Sequence, residues 1–138
     1  MIIDGNNLIL GRLASFAAKK LLLGESVEVV NCEEAVITGT KETILTRFKE
    51  KMNRTHPFKG PFFIRSADGI VKRTIRGMLP FGQSRGREAF KRVMCYNSIP
   101  EEFKNRKLET IKEANLEKLP DRRYIRIKEI CRYLGAKL

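Results

Sequence analysis

The chain has 138 residues, 42% of them apolar, which is the length of one domain with material for a core of its own. Its 28 Lys and Arg against 16 Asp and Glu give a formal charge of +12, an excess that points to a polyanionic partner. No apolar run approaches the roughly 18 residues of a membrane span, and Cys32, Cys95 and Cys131 are odd in number with no C-x-x-C pair, so a membrane span, a disulfide framework and a cysteine metal site are all unexpected.

In chain order, Met1 to Asp4 reads as a strand closed by the turn-forming Gly5-Asn6-Asn7, with no basic, apolar leader ahead of it, so no secretory signal is expected. Leu10, Leu13, Ala14, Ala17, Leu21 and Leu22 recur at helical spacing up to Gly24, and Val27 to Val30 is a second strand. Strand, helix and strand in some 30 residues is a βαβ unit, whose right-handed crossover makes the strands parallel. Beyond an acidic turn at Glu33-Glu34, Thr38 or Thr40 caps a helix with Ile44, Leu45, Phe48 and Met52 on its apolar face, ended by His56-Pro57.

A third helix is predicted from about Ser66. Ala67, Ile70, Val71, Thr74, Ile75 and Met78 fall on one face, and Lys72, Arg73 and Arg76 on the other, by i,i+3 and i,i+4 spacing. Pro80 and Gly82 break it, a short helix follows around Arg87 to Lys91, and Val93 to Tyr96 is a strand closed by Pro100. From Glu101 the chain is charged and less periodic until a final helix with Ile127, Ile130, Cys131 and Leu134, closed by Gly135. The expected class is α/β, with a small, mostly parallel sheet flanked by helices in a single domain over 1–138, its body about 1–100 and a charged extension about 101–138. The three cysteines are expected to be reduced, mostly buried thiols of a cytosolic protein.

Charge is uneven along the chain: −2 over residues 1–40, +10 over 41–92 and +4 over 93–138. The middle segment carries two motifs that compete for interpretation. Gly82-Gln-Ser-Arg-Gly86 fits the G-x-S-x-G nucleophile elbow, but Leu79-Pro80-Phe81 is a poor strand to precede it, and the only histidine, His56, lies before Ser84 rather than after. Gly5 to Gly11-Arg12-Leu13 resembles a P-loop, yet it has five intervening residues and lacks the Lys-Ser/Thr that would reach phosphates and magnesium. Neither motif carries its mechanism, so no catalytic residue, metal, cofactor or small-molecule substrate is expected. His56 stands as a solvated helix-end residue.

The alternative for the same residues is phosphate contact. Lys72, Arg73 and Arg76, then Pro80, flexible Gly82, Arg85-Gly86-Arg87 and Lys91-Arg92 would fold two basic rows around a loop that a backbone can approach closely. Arginine presents a planar fork of donors that matches phosphate oxygens. Phe81 and Phe90 are read as anchors of this loop into the core, and Lys104, Arg106, Lys107, Arg122 and Arg123 as either a second, weaker patch or a solvated tail.

Arg73-Thr-Ile-Arg-Gly-Met-Leu-Pro80, then Arg85-Gly-Arg-Glu-Ala-Phe90 and the strand with Tyr96, resemble the signature of the universal large-subunit ribosomal protein thirteen family. Leu8-Ile-Leu-Gly-Arg-Leu-Ala-Ser15, Val29-Val-Asn31 and Ala35-Val-Ile-Thr-Gly39 are similar to its other hallmark segments, in family order from residue 2 to about residue 100. The tail from Ile99-Pro-Glu-Glu-Phe103 resembles the archaeal branch. The resemblance implies a three-layer α/β/α fold with a four-stranded parallel sheet, and a non-enzymatic structural role on large-subunit rRNA beside other ribosomal proteins in the cytoplasm.

By position, the family's RNA-contacting loop falls on Arg73, Arg76, Gly77, Pro80, Arg85, Gly86 and Arg87. Lys72, Lys91 and Arg92 join it on charge alone. The chain departs from the family at Gly82-Gln83-Ser84, where many members place lysines. A free RNA-binding translational regulator is the alternative function.

Overall fold

A computed structural model describes residues 1–137 of the chain. The elements in order are β1 (Ile2–Asp4), α1 (Leu10–Leu22), β2 (Val27–Val30), β3 (Val36–Thr38), α2 (Lys41–Asn53), α3 (Ala67–Gly77), α4 (Ser84–Lys91), β4 (Val93–Cys95), β5 (Tyr124–Arg126) and α5 (Ile127–Tyr133). Short 3-10 turns occupy Cys32–Glu34, Glu101–Phe103, Lys112–Ala114 and Leu116–Lys118.

The first three elements are the expected βαβ unit. β1, β2 and β4 form a parallel sheet in the order β1-β2-β4, with Ile3 opposite Val29 and Val29 opposite Cys95. The period-two alternation of a strand then sorts the side chains. Ile3, Val27, Val29, Val93 and Cys95 join the main apolar cluster with α1 and α3, whereas Ile2 and Val30 face the other way, onto Phe103, Tyr96, Ile99 and Leu108. The second face of the sheet is thus covered by the segment around the Glu101–Phe103 turn.

Helix α1 buries Leu10, Leu13, Ala14, Ala17, Ala18 and Leu21. Three alanines on that face let its backbone lie close to its neighbours, and the leucines each contribute roughly 1.5–3 kcal/mol by leaving water. Leu22, expected on the same face, is 43% exposed, because position 22 has rotated past the apolar stripe by the end of the helix. Met78 departs in the same way, lying exposed past the end of α3.

The α/β class and the small, mostly parallel sheet are borne out, with three strands where about four were expected. The fourth position, outside β1, is a single parallel bridge of Ile3 with Glu109, made by the Asp4 N–H to the Glu109 carbonyl (2.9 Å) and the Glu109 N–H to the Ile2 carbonyl (2.8 Å). The two remaining strands, β3 and β5, form a separate antiparallel pair in which Ile37 lies opposite Ile125.

Those contacts weave the charged C-terminal segment into the body. The Ile9 N–H donates to the Ala114 carbonyl (2.8 Å), the Leu116 N–H to Asn7 (2.9 Å) and the Ile127 N–H to Ala35 (2.9 Å). Ala114, Ile127 and Cys131 belong to the main cluster, while Ile125, Ile130 and Leu134 pack with Ile44 of α2. A half-buried ion cluster fastens the junction: Glu34 accepts from Arg126 (2.5 Å) and Lys128 (2.6 Å), and Arg126 also donates to Asn7 Oδ1 (3.1 Å). Lys128 first, then Arg126, holds the Glu34 carboxyl below the usual carboxylate range.

Candidate nucleic-acid interface

Helix α3 ends where Leu79-Pro80 turns the chain. Pro80 has no N–H to continue a helix, and its carbonyl accepts from the Gln83 N–H (3.0 Å) just before α4 begins. The turn is tight. A Cβ at Gly86 would overlap the Pro80 carbonyl and lie 3.0 Å from the Phe81 nitrogen, so only glycine lets α4 sit against it. Gly77 and Gly82 have open space where a side chain would go, and both are exposed.

The turn brings α3 and α4 side chains together. Phe81 and Phe90 meet edge to face at 5.5 Å between ring centroids. The Arg76 guanidinium lies 5.4 Å from the Phe81 centroid and the Lys72 ammonium 5.3 Å from that of Phe90, within cation–π range. Phe90 packs against the main cluster as expected, but Phe81 remains 41% exposed and serves as a plate for Arg76.

The ten residues expected at the site therefore separate into groups. Arg76, Arg85, Arg87 and Lys91 are exposed, and neither they, Lys72 nor Arg73 makes an ion pair among the described residues. Arg73 is exposed as well, one turn from Arg76 by i,i+3 spacing, and it also borders a groove against α2. Gly77 is open, whereas Pro80 and Gly86 build the turn. Arg92 is occupied elsewhere. Its Nη2 donates to the Leu21 carbonyl (2.6 Å), which also accepts from the Gly24 N–H (3.1 Å) at the end of α1, and its Nε is buried.

Residues 1–102 match the family model of ribosomal protein L13. The large ribosomal subunit protein uL13 of Archaeoglobus fulgidus is 48% identical over 137 residues, spanning 99% of this chain and 88% of its own length. Its counterparts in Methanosarcina barkeri and Methanopyrus kandleri are 44% and 43% identical, again over 99% of this chain, and over 98% and 87% of theirs. The chain belongs to the ribosomal protein L13 family. That family is structural and not enzymatic, and the relatives just named are all archaeal, as the tail suggested.

Membership and geometry agree on Ser84. It opens α4 directly after the Pro80 turn, with Gln83 at the cap, so the strand required by a nucleophile elbow is missing. The P-loop resemblance fails as well, since Leu13 is fully buried and the Arg12 Nη1 donates to the Glu113 carbonyl (3.0 Å). The three thiols are buried and free; Cys32 is pushed up by the neighbouring Cys95 thiol and by burial, and Cys131 is pushed up to about 11 by burial, so both stay protonated and unreactive at neutral pH. His56 is exposed beyond the end of α2, where its Nδ1 accepts from the Phe58 N–H (3.3 Å).

The C-terminal basic residues of this L13 member are partly neutralised by neighbours. Lys104 pairs with Glu101 (3.7 Å), Arg123 with Asp121 (3.4 Å), and Arg106 stacks on Phe103 at 5.4 Å. Lys51 and Arg54, which border the same groove as Arg73, escaped motif reading. Their signal was compositional: residues 51–65 hold four Lys or Arg, three Phe and no acid.

Proposed function

We propose that this large-subunit ribosomal protein holds rRNA phosphates with the basic side chains around the α3–α4 turn, and so supports assembly of the subunit. The observation that carries the reading is a set of six cations, Lys72, Arg73, Arg76, Arg85, Arg87 and Lys91, none neutralised by an acid among the described residues. Helix α4 adds to it. Its first turn has no acidic side chain, so the positive end of the helix dipole is left for an anion between Arg85 and Arg87.

Exposed Gly77 and Gly82 leave room for a sugar-phosphate backbone beside the turn. Contacts of this kind read backbone and shape rather than base sequence. The α/β body serves as a rigid platform, and the neighbouring partners are rRNA and other proteins of the large subunit in the cytoplasm.

Neutralising about six phosphates gives a log K against log[salt] slope of roughly −4 to −5 for an rRNA fragment. Replacing Arg76, Arg85 and Arg87 with Ala removes about three contacts and flattens the slope by roughly 2–3, while the melting transition stays cooperative. A wild-type slope near zero, or normal incorporation of the triple variant into large subunits, refutes the reading.

A further inference from the structure

A groove of about 440 Å³ lies between the C-terminal half of α2, the connection to α3 and α3 itself. Phe48, Phe62 and Phe63 supply apolar surface, and among the described residues Lys51, Arg54 and Arg73 are the only charged ones that line it. Phe48 and Phe63 meet edge to face at 6.1 Å and are half buried, but Phe62 is 71% exposed, and Phe58 nearby in the chain is 88% exposed. Such aromatic exposure costs free energy in water and marks a binding surface.

We propose that this groove takes an unpaired RNA nucleotide, its base stacked on Phe62 and its phosphates held by Lys51, Arg54 and Arg73. The inference rests on the rRNA-binding reading and extends it from phosphate contact to base capture. Three features select this occupant. Every charged lining group is cationic, which fits a polyanion and opposes a basic peptide. The volume falls in the range of small-ligand sites, about 300–1,000 Å³, and so admits a nucleotide. Arg73 sits one turn from Arg76 on α3, so a strand lying along the basic turn continues directly into the groove. Aromatic plates beside cations are how proteins hold single-stranded nucleic acid.

The test compares a short single-stranded oligoadenylate with an abasic oligonucleotide of equal charge, both titrated against the full-length protein. The wild type is expected to bind the oligoadenylate more tightly, and Phe62→Ala to reduce that advantage roughly 5- to 100-fold while leaving the abasic affinity and the thermal transition unchanged. Phe62→Tyr is expected to restore it.

Equal affinity for the two oligonucleotides in the wild type overturns the proposal, as does a Phe62→Ala protein that keeps the full advantage. Unchanged oligonucleotide binding by Phe62→Ala, with loss of one neighbouring ribosomal protein from reconstituted subunits, assigns the groove to a protein and overturns it too. The Arg76, Arg85 and Arg87 triple variant keeps the two ideas apart. It lowers the salt slope on an rRNA fragment if the phosphate reading holds, whether or not the base advantage exists.

Discussion

The Gly86 α-carbon lies directly against the Pro80 carbonyl, and this one approach sets where α4 starts relative to the end of α3. Both residues resemble parts of an RNA-contacting loop, and in this fold both shape the turn that carries it. Gly86→Ala is expected to destabilise the fold by about 1–3 kcal/mol, as overpacking does, since the obstructing atoms are backbone and cannot swing aside. Urea denaturation reads this as a lower midpoint at constant slope; an unchanged midpoint contradicts the geometry.

Gly77 offers the contrast. It belongs to α3, has ordinary backbone angles and, among the described residues, has nothing within reach of an added Cβ. Gly77→Ala is therefore expected to be neutral or to stabilise by up to about 1 kcal/mol through helix propensity. Weakened binding to rRNA in this stable variant would locate a close backbone approach there, and calorimetry alongside rRNA titration separates the two effects.

Arg92 and Arg85 are both arginines of one basic stretch with opposite expected phenotypes. Arg92→Ala removes the hydrogen bond to Leu21 and is expected to cost about 1–2 kcal/mol of stability without altering the salt slope of rRNA binding. Arg85→Ala is expected to reduce that slope by roughly one contact and leave the melting temperature within a degree or two. An Arg92→Ala protein with native stability and a reduced slope would reverse the assignment.

Glu34 ties the 3-10 turn after β2 to the start of α5 through Arg126 and Lys128. Its folded pKa is lowered, so its contribution to stability is present above the ordinary carboxyl value of 4.5 and is lost as pH falls through the lower folded value. Stability measured from pH 6 down to pH 3 should therefore fall, and Glu34→Gln should flatten that part of the profile. At neutral pH the same substitution is expected to cost about 1–3 kcal/mol, because it weakens hydrogen bonds to two cations. Identical acid profiles for the two proteins would show that the ion cluster is not coupled to folding.

Cutting the chain after Pro100 tests how far the C-terminal segment is a mere extension. It removes Ala114, Ile125, Ile127, Ile130, Cys131 and Leu134, all buried, and uncovers Leu8 and Ile44. Loss of several such side chains at roughly 1.5–3 kcal/mol each exceeds the usual stability of a domain. The truncated protein is expected to lose its cooperative melting transition, and a sharp transition near that of the full chain would refute the point.

Much of this protein was legible in the chain itself. The apolar spacing of α1 and α3, the glycine stops at Gly24 and Gly135, the break at Pro80 and the charge of residues 41–92 all depend on neighbours within a few positions, where periodicity and backbone chemistry act directly. Family membership was legible for the same reason, since its motifs are contiguous strings.

The tertiary structure decided the rest. β3 and β5 are three residues each and pair across 88 positions, too short for a periodic signal and too distant for a local one. Whether an arginine meets water or a carbonyl, as Arg85 and Arg92 do, depends on what the remainder of the chain brings to its tip. The groove beside Arg73 exists only because the fold brings the C-terminal half of α2, the irregular connection after it and α3 to line one surface. Local sequence dictates the elements; long-range packing determines which of their side chains remain free to act.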